Sequence, residues 1–289
     1  MYREIVSLMR REYLKWIRAP TWVISGLLSP VLYLVLFGQA FDLAKLLPPN
    51  VPGSTIVQVL LGAPNYFSYF AIGMVAFAAA TAAMFSGTGV IFDKQLGIQQ
   101  RIISTPTSRG AIFSAYLLFR GVLTLIPAFL VIGLALVLAY VPGLAGLTVP
   151  SGVTGLGLGE VLLAILTLSL AFTALFLAFG FSAGKIESYF GVVTILQLPI
   201  LLTSNAMYPS GTMPPWLQHV VAVNPISLAV NVMRANLFGA SGYPYSAGVY
   251  LAGLVGWAAV LIALASFLAY RSFQSGVVRS EPGEWGPAP

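Results

Sequence analysis

Residues 66–92, YFSYFAIGMVAFAAATAAMFSGTGVIF, run for 27 positions without a charged side chain and stop at Asp93-Lys94. A helix rises about 1.5 Å per residue and a bilayer core is about 30 Å thick, so roughly 20 such residues cross it. The segment therefore reads as a membrane-spanning helix. Outward from it, five more apolar stretches have the necessary length: 19–41, 121–140, 161–183, 189–207 and 247–270. Pro30, Pro127 and Pro199 lie inside three of them. In a bilayer, neighbouring helices re-satisfy the carbonyl that a proline frees, so kinks are expected rather than breaks. The expected fold is an all-α polytopic membrane protein with six transmembrane helices.

Composition agrees. Of 289 residues, 58% are hydrophobic and 8% charged, against about 25% charged in a soluble domain. A water-exposed globular enzyme is excluded. The chain has no cysteine, hence no disulfide, thiolate metal site or thiol nucleophile. The single His219 and eight scattered carboxylates form no cluster of metal ligands, so neither a metal nor catalytic residues are expected. The net charge of +6 comes from cations beside apolar runs, where they set orientation rather than bind nucleic acid. Residues 1–18 hold five Lys and Arg, 93–109 three, 184–188 one and 271–289 two. The alternate loops 42–65, 141–160 and 205–246 hold only Lys45 and Arg234. Both termini are thus expected in the cytoplasm of a multi-pass cell-membrane protein. A signal peptide ending near Gly38-Gln39-Ala40 fits less well, because the 23-residue run 19–41 exceeds a signal core of about 7 to 15 residues. Arg120, eleven residues into a long helix from Arg109, has two readings, buried or snorkelling to the cytoplasmic edge of the third span, and the second is preferred.

On a helical wheel, Tyr2, Ile5, Val6, Met9, Tyr13, Trp16 and Ile17 share one arc, and Arg3, Arg10, Arg11, Lys15 and Arg18 the opposite one. Leu8, Glu12 and Leu14 fit neither. Residues 1–18 read as an amphipathic helix in the headgroup plane. Two roles suit it: a plain anchor, or a lever coupling a cytoplasmic partner to the first span.

The cytoplasmic segment 93–109 contains a short helix over Leu96 to Ile103, stopped by Pro106, with Ser108 capping the next helix. Leu96, Ile98, Ile102 and Ile103 make it too apolar for water, with Asp93, Lys94 and Arg101 as a charged rim. A solvated linker and a docking site are both consistent with this pattern. On the outer side, Thr212-Met213-Pro214-Pro215-Trp216-Leu217 starts one short helix and Asn224-Pro225 another, which Gly239 closes. Residues 225–238 span only about 21 Å as a helix, and Arg234 is costly at the bilayer centre. A shallow outer re-entrant hairpin over 205–246 is expected.

In this order, the amphipathic start, the six spans, Thr105-Pro106-x-Ser108-Arg109, Met213-Pro214-Pro215-Trp216-Leu217, Asn224-Pro225-Ile226 and Arg234 resemble the membrane subunit of type-2 ATP-binding-cassette exporters. That family includes drug and polysaccharide exporters. The resemblance covers about residues 1–272 as one transmembrane domain and leaves 273–289 as a disordered cytoplasmic tail. Ala115-Tyr116 departs from the family, which often has Gly-Lys early in the third span. The resemblance implies two six-span permease subunits forming the pathway, a homodimer being preferred over a pairing with a second permease, and two copies of a separate cassette ATPase that bind ATP and Mg; the chain itself carries no cofactor. Leu96, Ile98, Arg101, Ile102 and Ile103 would couple to that ATPase. Spans two and five would face the pathway, with Phe77, Phe85, Thr88, Thr194, Gln197 and Asn205 as its residues. Each of these also reads as ordinary helix packing. Pro215, Trp216, Asn224, Pro225 and Arg234 would shape the exit. The expected substrate is lipophilic or amphipathic: a drug, a lipid or a lipid-linked glycan.

The chain has no P-loop: Gly184-Lys185 is followed by Ile186, and Phe179 replaces the first glycine. An ion-coupled carrier would place ionisable residues within its spans, which hold none beyond Arg120. An intramembrane hydrolase would need His219 to activate Ser210 or Ser227, on the outer segment rather than in a dry pocket.

Overall fold

The computed structural model describes residues 2–18, 21–40, 61–105, 107–239 and 243–274. Most of residues 42–65, expected as an outer loop, and the tail from residue 275 lie outside them. Among the described residues the regular structure is entirely helical.

Helix α1 (Tyr2–Arg18) precedes α2 (Thr21–Leu32), which carries Pro30 and runs through a π-helical turn at Tyr33–Phe37 to Gly38–Ala40. Helix α3 (Tyr66–Met84) continues through a 3-10 turn at Phe85–Gly87 into α4 (Thr88–Gln95). The loop helix α5 (Ile98–Ile103) follows, then α6 (Arg109–Leu123) and α7 (Leu125–Leu138). Helix α8 (Gly155–Ser182) is unbroken, and α9 (Ile186–Leu202) absorbs Pro199. Helices α10 (Pro215–Val223) and α11 (Pro225–Phe238) meet at 78°, and α12 (Ala247–Gln274) ends the described chain. Side-chain oxygens start several of these helices. Asn65 accepts the Ser68 amide at 2.7 Å, Ser108 that of Ala111 at 3.3 Å and Thr154 that of Gly157 at 3.1 Å.

Four helical runs among the described residues are long and apolar enough to cross a membrane: Tyr66–Gln95, Arg109–Leu138, Gly155–Ser182 and Ala247–Ser272. A fifth is added if the bent α10–α11 pair counts as one. The stretch expected as span one contains the shorter apolar helix Leu27–Ala40, and that expected as span five overlaps the shorter apolar helix Ile186–Leu202. The run expected as span three opens at Arg109 rather than Gly121 because the capped, amphipathic α6 joins α7 with only Thr124 between them.

The α3–α4 run lies at the centre. Its most apolar window is 89% buried within the chain, against 22% for the last run. Hydrophobic burial does not drive helices together in lipid, so close approach depends on small residues. Ala76, Ala78, Ala79, Ala80 and Ala83 supply them along α3. Helix α8 packs alongside α3 and against α11 and α12. A methyl on Gly180 would sit 2.7 Å from the Gly87 carbonyl oxygen, so glycine sets that approach. A second, smaller core gathers Val90, Ile112, Phe113, Tyr116, Phe181 and Ala265. At the other end, Gln39 pairs with the Ala145 backbone through both amide atoms, at 2.7 and 2.8 Å.

Candidate functional site

The smaller core carries a charged hub. Asp93, at the end of α4, is 0% exposed. Its carboxylate takes Lys15 Nζ at 2.6 Å, Arg11 Nη2 at 3.0 Å and the Tyr116 hydroxyl at 2.5 Å. Glu12, one turn along α1, is equally withdrawn from water and holds Arg120 Nη2 at 2.8 Å. Arg11 and Lys15 lie farther from Glu12, at 3.6 and 3.8 Å. Three cations on α1 and α6 thus enclose two carboxylates on α1 and α4. Burial works against the Arg11 charge, but Tyr116, Asp93 and Glu12 outweigh it and raise its pKa above the ordinary value. Space for Arg120 comes from Gly89, where a methyl would sit 2.1 Å from Nη2.

This arrangement corrects two sequence expectations. Asp93 and Lys94 do not form an exposed rim: Asp93 is in the hub, and Lys94 Nζ donates to the carbonyls of Phe181 and Ala183 at the end of α8. Arg120 does not snorkel to water but turns inward to Glu12. Helix α1 also divides its basic side. Arg10 is exposed while Arg11 and Lys15 face Asp93, and Val6, Tyr13 and Ile17 of its apolar arc remain exposed.

The loop helix sits next to this hub. Gly97, at φ 68°, turns the chain after α4, its N–H donating to the Lys94 carbonyl at 2.9 Å. Leu96 is 68% exposed and Arg101 is exposed. Ile98 is half-buried, while Ile102 and Ile103 pack with Leu8 against the smaller core. The apolar face expected to be open is therefore partly spent on the chain's own interior.

Helices α4 and α9 meet where the central run is interrupted. The Tyr189 hydroxyl donates to the Met84 carbonyl and accepts the Gly87 amide at 3.0 Å. It satisfies backbone groups freed by the 3-10 turn. A methyl on Gly87 would lie 2.6 Å from that hydroxyl and 2.4 Å from the Phe176 carbonyl oxygen. The expected pathway residues do not form one cluster. Phe77 is buried against Tyr33, Phe85 lies 6.1 Å from Phe190 between ring centres, and Thr88 bonds the Phe85 carbonyl at 2.6 Å. Thr194 is exposed and Gln197 half-buried on α9. Asn205 is buried and donates to Asn231 at 2.6 Å.

The bent pair is tied down at its corner. Asn224 Oδ1 accepts the Ile226 amide at 2.8 Å, and its Nδ2 donates to the Ile200 and Thr203 carbonyls at 3.1 and 2.9 Å. Pro215 and Pro225 occupy first helical positions as expected, Gly239 ends α11 at φ 101°, and Trp216 is 68% exposed. Arg234 is 0% exposed. Its guanidinium donates to the carbonyls of Asn205 at 2.9 Å, Tyr69 at 2.7 Å and Ala206 at 3.0 Å, and lies 3.3 Å over the Tyr69 ring. His219 is exposed on α10, whereas Ser227 is buried and accepts the Asn205 amide.

With this geometry in place, residues 3–238 match the ABC-2 type transporter family. The chain belongs to that family. Similar proteins include a putative transport permease ycf38 of Porphyra purpurea, 29% identical over 80% of this chain and 73% of the relative. The daunorubicin resistance ABC transporter permease protein DrrB1 of Streptomyces coeruleorubidus is 25% identical over 88% of this chain and 81% of its own length. Nodulation protein J of Rhizobium leguminosarum bv. viciae is 24% identical, over 81% and 82%. Membership with permease relatives supports a role as the membrane subunit of an ABC exporter, a transport subunit rather than an ATPase.

In this ABC-2 family member the sequence reading named the loop, the hairpin and Arg234, but not the hub or Tyr189. Two signals for the hub were present: Glu12 fell outside both arcs of the wheel, and Arg120 was a lone charge inside an apolar helix. Opposite charges that each break a pattern are candidates to be partners.

Proposed function

We propose that the chain is the pathway-forming subunit of an ATP-driven exporter, working as a homodimer with two copies of a separate ATPase that binds ATP and Mg. Helices α2 and α9 complete six spans, both termini face the cytoplasm of the cell membrane, and the bent α10–α11 pair is a re-entrant hairpin shaping the exit. Residues 1–272 act as one domain. A lipophilic or amphipathic substrate suits the apolar spans, and the relative named for daunorubicin resistance favours a drug-like molecule over a hydrophilic one.

One observation supports the coupling role above others. Asp93 lies in the last turn of the central run, five residues before the loop helix begins at Ile98, and it holds Arg11 and Lys15 of α1 while bonding Tyr116 of α6. A push on the loop therefore reaches α1, α4 and α6 together. Leu96, Ile98 and Arg101 form the outward contact with the ATPase, and Ile102 and Ile103 anchor the loop helix to the core. Phe77, Phe85 and Thr88 lie on the central run and Thr194 and Gln197 on α9, the two elements that this movement separates at the Tyr189 joint, and Asn205 lies in the non-helical stretch just after α9. The test is Leu96→Asp. At 68% exposure the new charge leaves the fold intact, but it places an unpaired carboxylate in a protein contact. Co-purification of the ATPase should be lost while membrane insertion and dimerisation persist. Full retention of the ATPase by Leu96→Asp would sink the docking role of this loop.

A further inference from the structure

Between the first turns of α6 and the last turns of α12 lies a cavity of about 240 Å³. Its lining changes character along the two helices. Arg109 and Gly110 open α6, and Tyr270 stands close to the end of α12. Farther along both helices come the hydroxyls of Ser114 and Ser266, beside the apolar Phe113 and Ala269. No carboxylate contributes to the lining. Arg109 forms no ion pair with a described residue, unlike Arg11, Lys15 and Arg120. Arg271, next in sequence to Tyr270, adds a second exposed cation over the Phe267 ring, 5.3 Å from its centre.

We propose that this cavity is a binding site for the phosphate headgroup of an anionic phospholipid. Both helices are among the runs apolar enough to cross the bilayer, and the cavity is at their shared end, where headgroups lie. Arg109 attracts the phosphate, with the exposed Arg271 nearby. The Ser114 and Ser266 hydroxyls lie at the depth of the glycerol esters, and Phe113 with Ala269 lines the start of the acyl chains. A basic pocket between transmembrane helices is a recognised arrangement for anionic lipid. A free phosphate ion would use Arg109 but not the deeper, apolar part of the cavity. The inference is independent of the exporter reading, because it needs only that α6 and α12 cross the membrane.

The test uses the full chain, purified in mild detergent and placed in phosphatidylcholine nanodiscs with and without phosphatidylglycerol. Bound lipid is measured by native mass spectrometry. Phosphatidylglycerol should be retained in preference to phosphatidylcholine. Arg109→Gln should weaken its retention about fivefold, the effect of one arginine near an anionic surface. Ser266→Leu fills the cavity from an exposed helix position and should reduce retention to a similar degree. Arg101→Gln, a charge change outside the lining, should leave it unchanged. Equal loss in Arg101→Gln would overturn the site in favour of a diffuse basic surface. Unchanged retention in both Arg109→Gln and Ser266→Leu would overturn it outright. Displacement of the lipid by inorganic phosphate at matched concentration would overturn the lipid assignment.

Discussion

The Glu12–Arg120 contact gives an asymmetric prediction. Arg120 Nη2 lies 2.8 Å from Glu12, and no other described carboxylate reaches it. Glu12, by contrast, keeps Arg11 at 3.6 Å and Lys15 at 3.8 Å when Arg120 is removed. Breaking a buried ion pair costs about 3–5 kcal/mol. Arg120 retains 20% side-chain exposure, which places this pair at the lower end of that range. Glu12→Gln strands a cation inside an apolar helix and should destabilise by about 3 kcal/mol. Arg120→Gln leaves a carboxylate with two more distant partners and should cost less, about 2 kcal/mol. The double variant should be less damaged than the sum of the two, with a coupling of about 2 kcal/mol. Gly89→Ala changes no charge, yet its methyl would lie 2.1 Å from Arg120 Nη2 and push the guanidinium off Glu12. It should reproduce much of the Arg120→Gln loss. The assay is a denaturing-detergent titration of the purified protein, with hydrogen exchange reporting whether α1 opens first. Strictly additive single effects in the double variant, or no loss in Glu12→Gln, would refute the hub as the tie between α1 and α6.

Asn224→Ala should cost about 1–2 kcal/mol, because the side chain caps α11 and also holds two carbonyls near the end of α9. Transport should fall while the ATPase still co-purifies; loss of the complex would show that the hairpin has a wider role in folding. Tyr189→Phe leaves the buried Gly87 amide without its acceptor and should destabilise by about 1–3 kcal/mol in thermal unfolding. A variant as stable as the parent would mean that the interruption of the central run needs no support from α9. The absence of cysteine allows clean labelling: Thr212→Cys should react with an impermeant thiol reagent on intact cells, and Ser104→Cys should not. Labelling of Ser104→Cys would reverse the proposed orientation.

What was legible in the sequence follows from the range of each interaction. The all-helical class and the apolar runs were readable because a bilayer imposes a length and a polarity that composition displays directly. The Ser108 and Asn224 caps were readable because a cap and its amide are two or three residues apart. The hub was not, because Lys15 and Asp93 are 78 positions apart and Glu12 and Arg120 are 108 apart. The loop isoleucines show the same limit. Ile102 and Ile103 are apolar residues in a polar segment, which signals a partner, but that partner is largely the chain's own core. Local patterning states that a residue seeks burial without stating where.

Arg234 carries this point furthest. Its charge argues for a shallow position if the surroundings are taken to be lipid. The surroundings are instead carbonyl oxygens, and they are available because the chain leaves helical geometry after α9. With Pro199 in its last turn, α9 ends at Leu202, and residues 203–209 run without a helix. The Asn205 and Ala206 carbonyls, no longer used by a helical ladder, accept the guanidinium, and Tyr69 of α3 supplies a third oxygen and the ring beneath it. That non-helical stretch approaches α3 only because position 73 is glycine: a methyl there would sit 2.0 Å from the Ala206 carbonyl oxygen. Non-helical backbone within a membrane domain is tolerated where protein, not lipid, satisfies it. Arg234 and the 203–209 segment therefore each supply what the other lacks, a cation without a carboxylate and carbonyls without amides. The position of α11 against α3 follows from that exchange rather than from the apolar pattern of either helix.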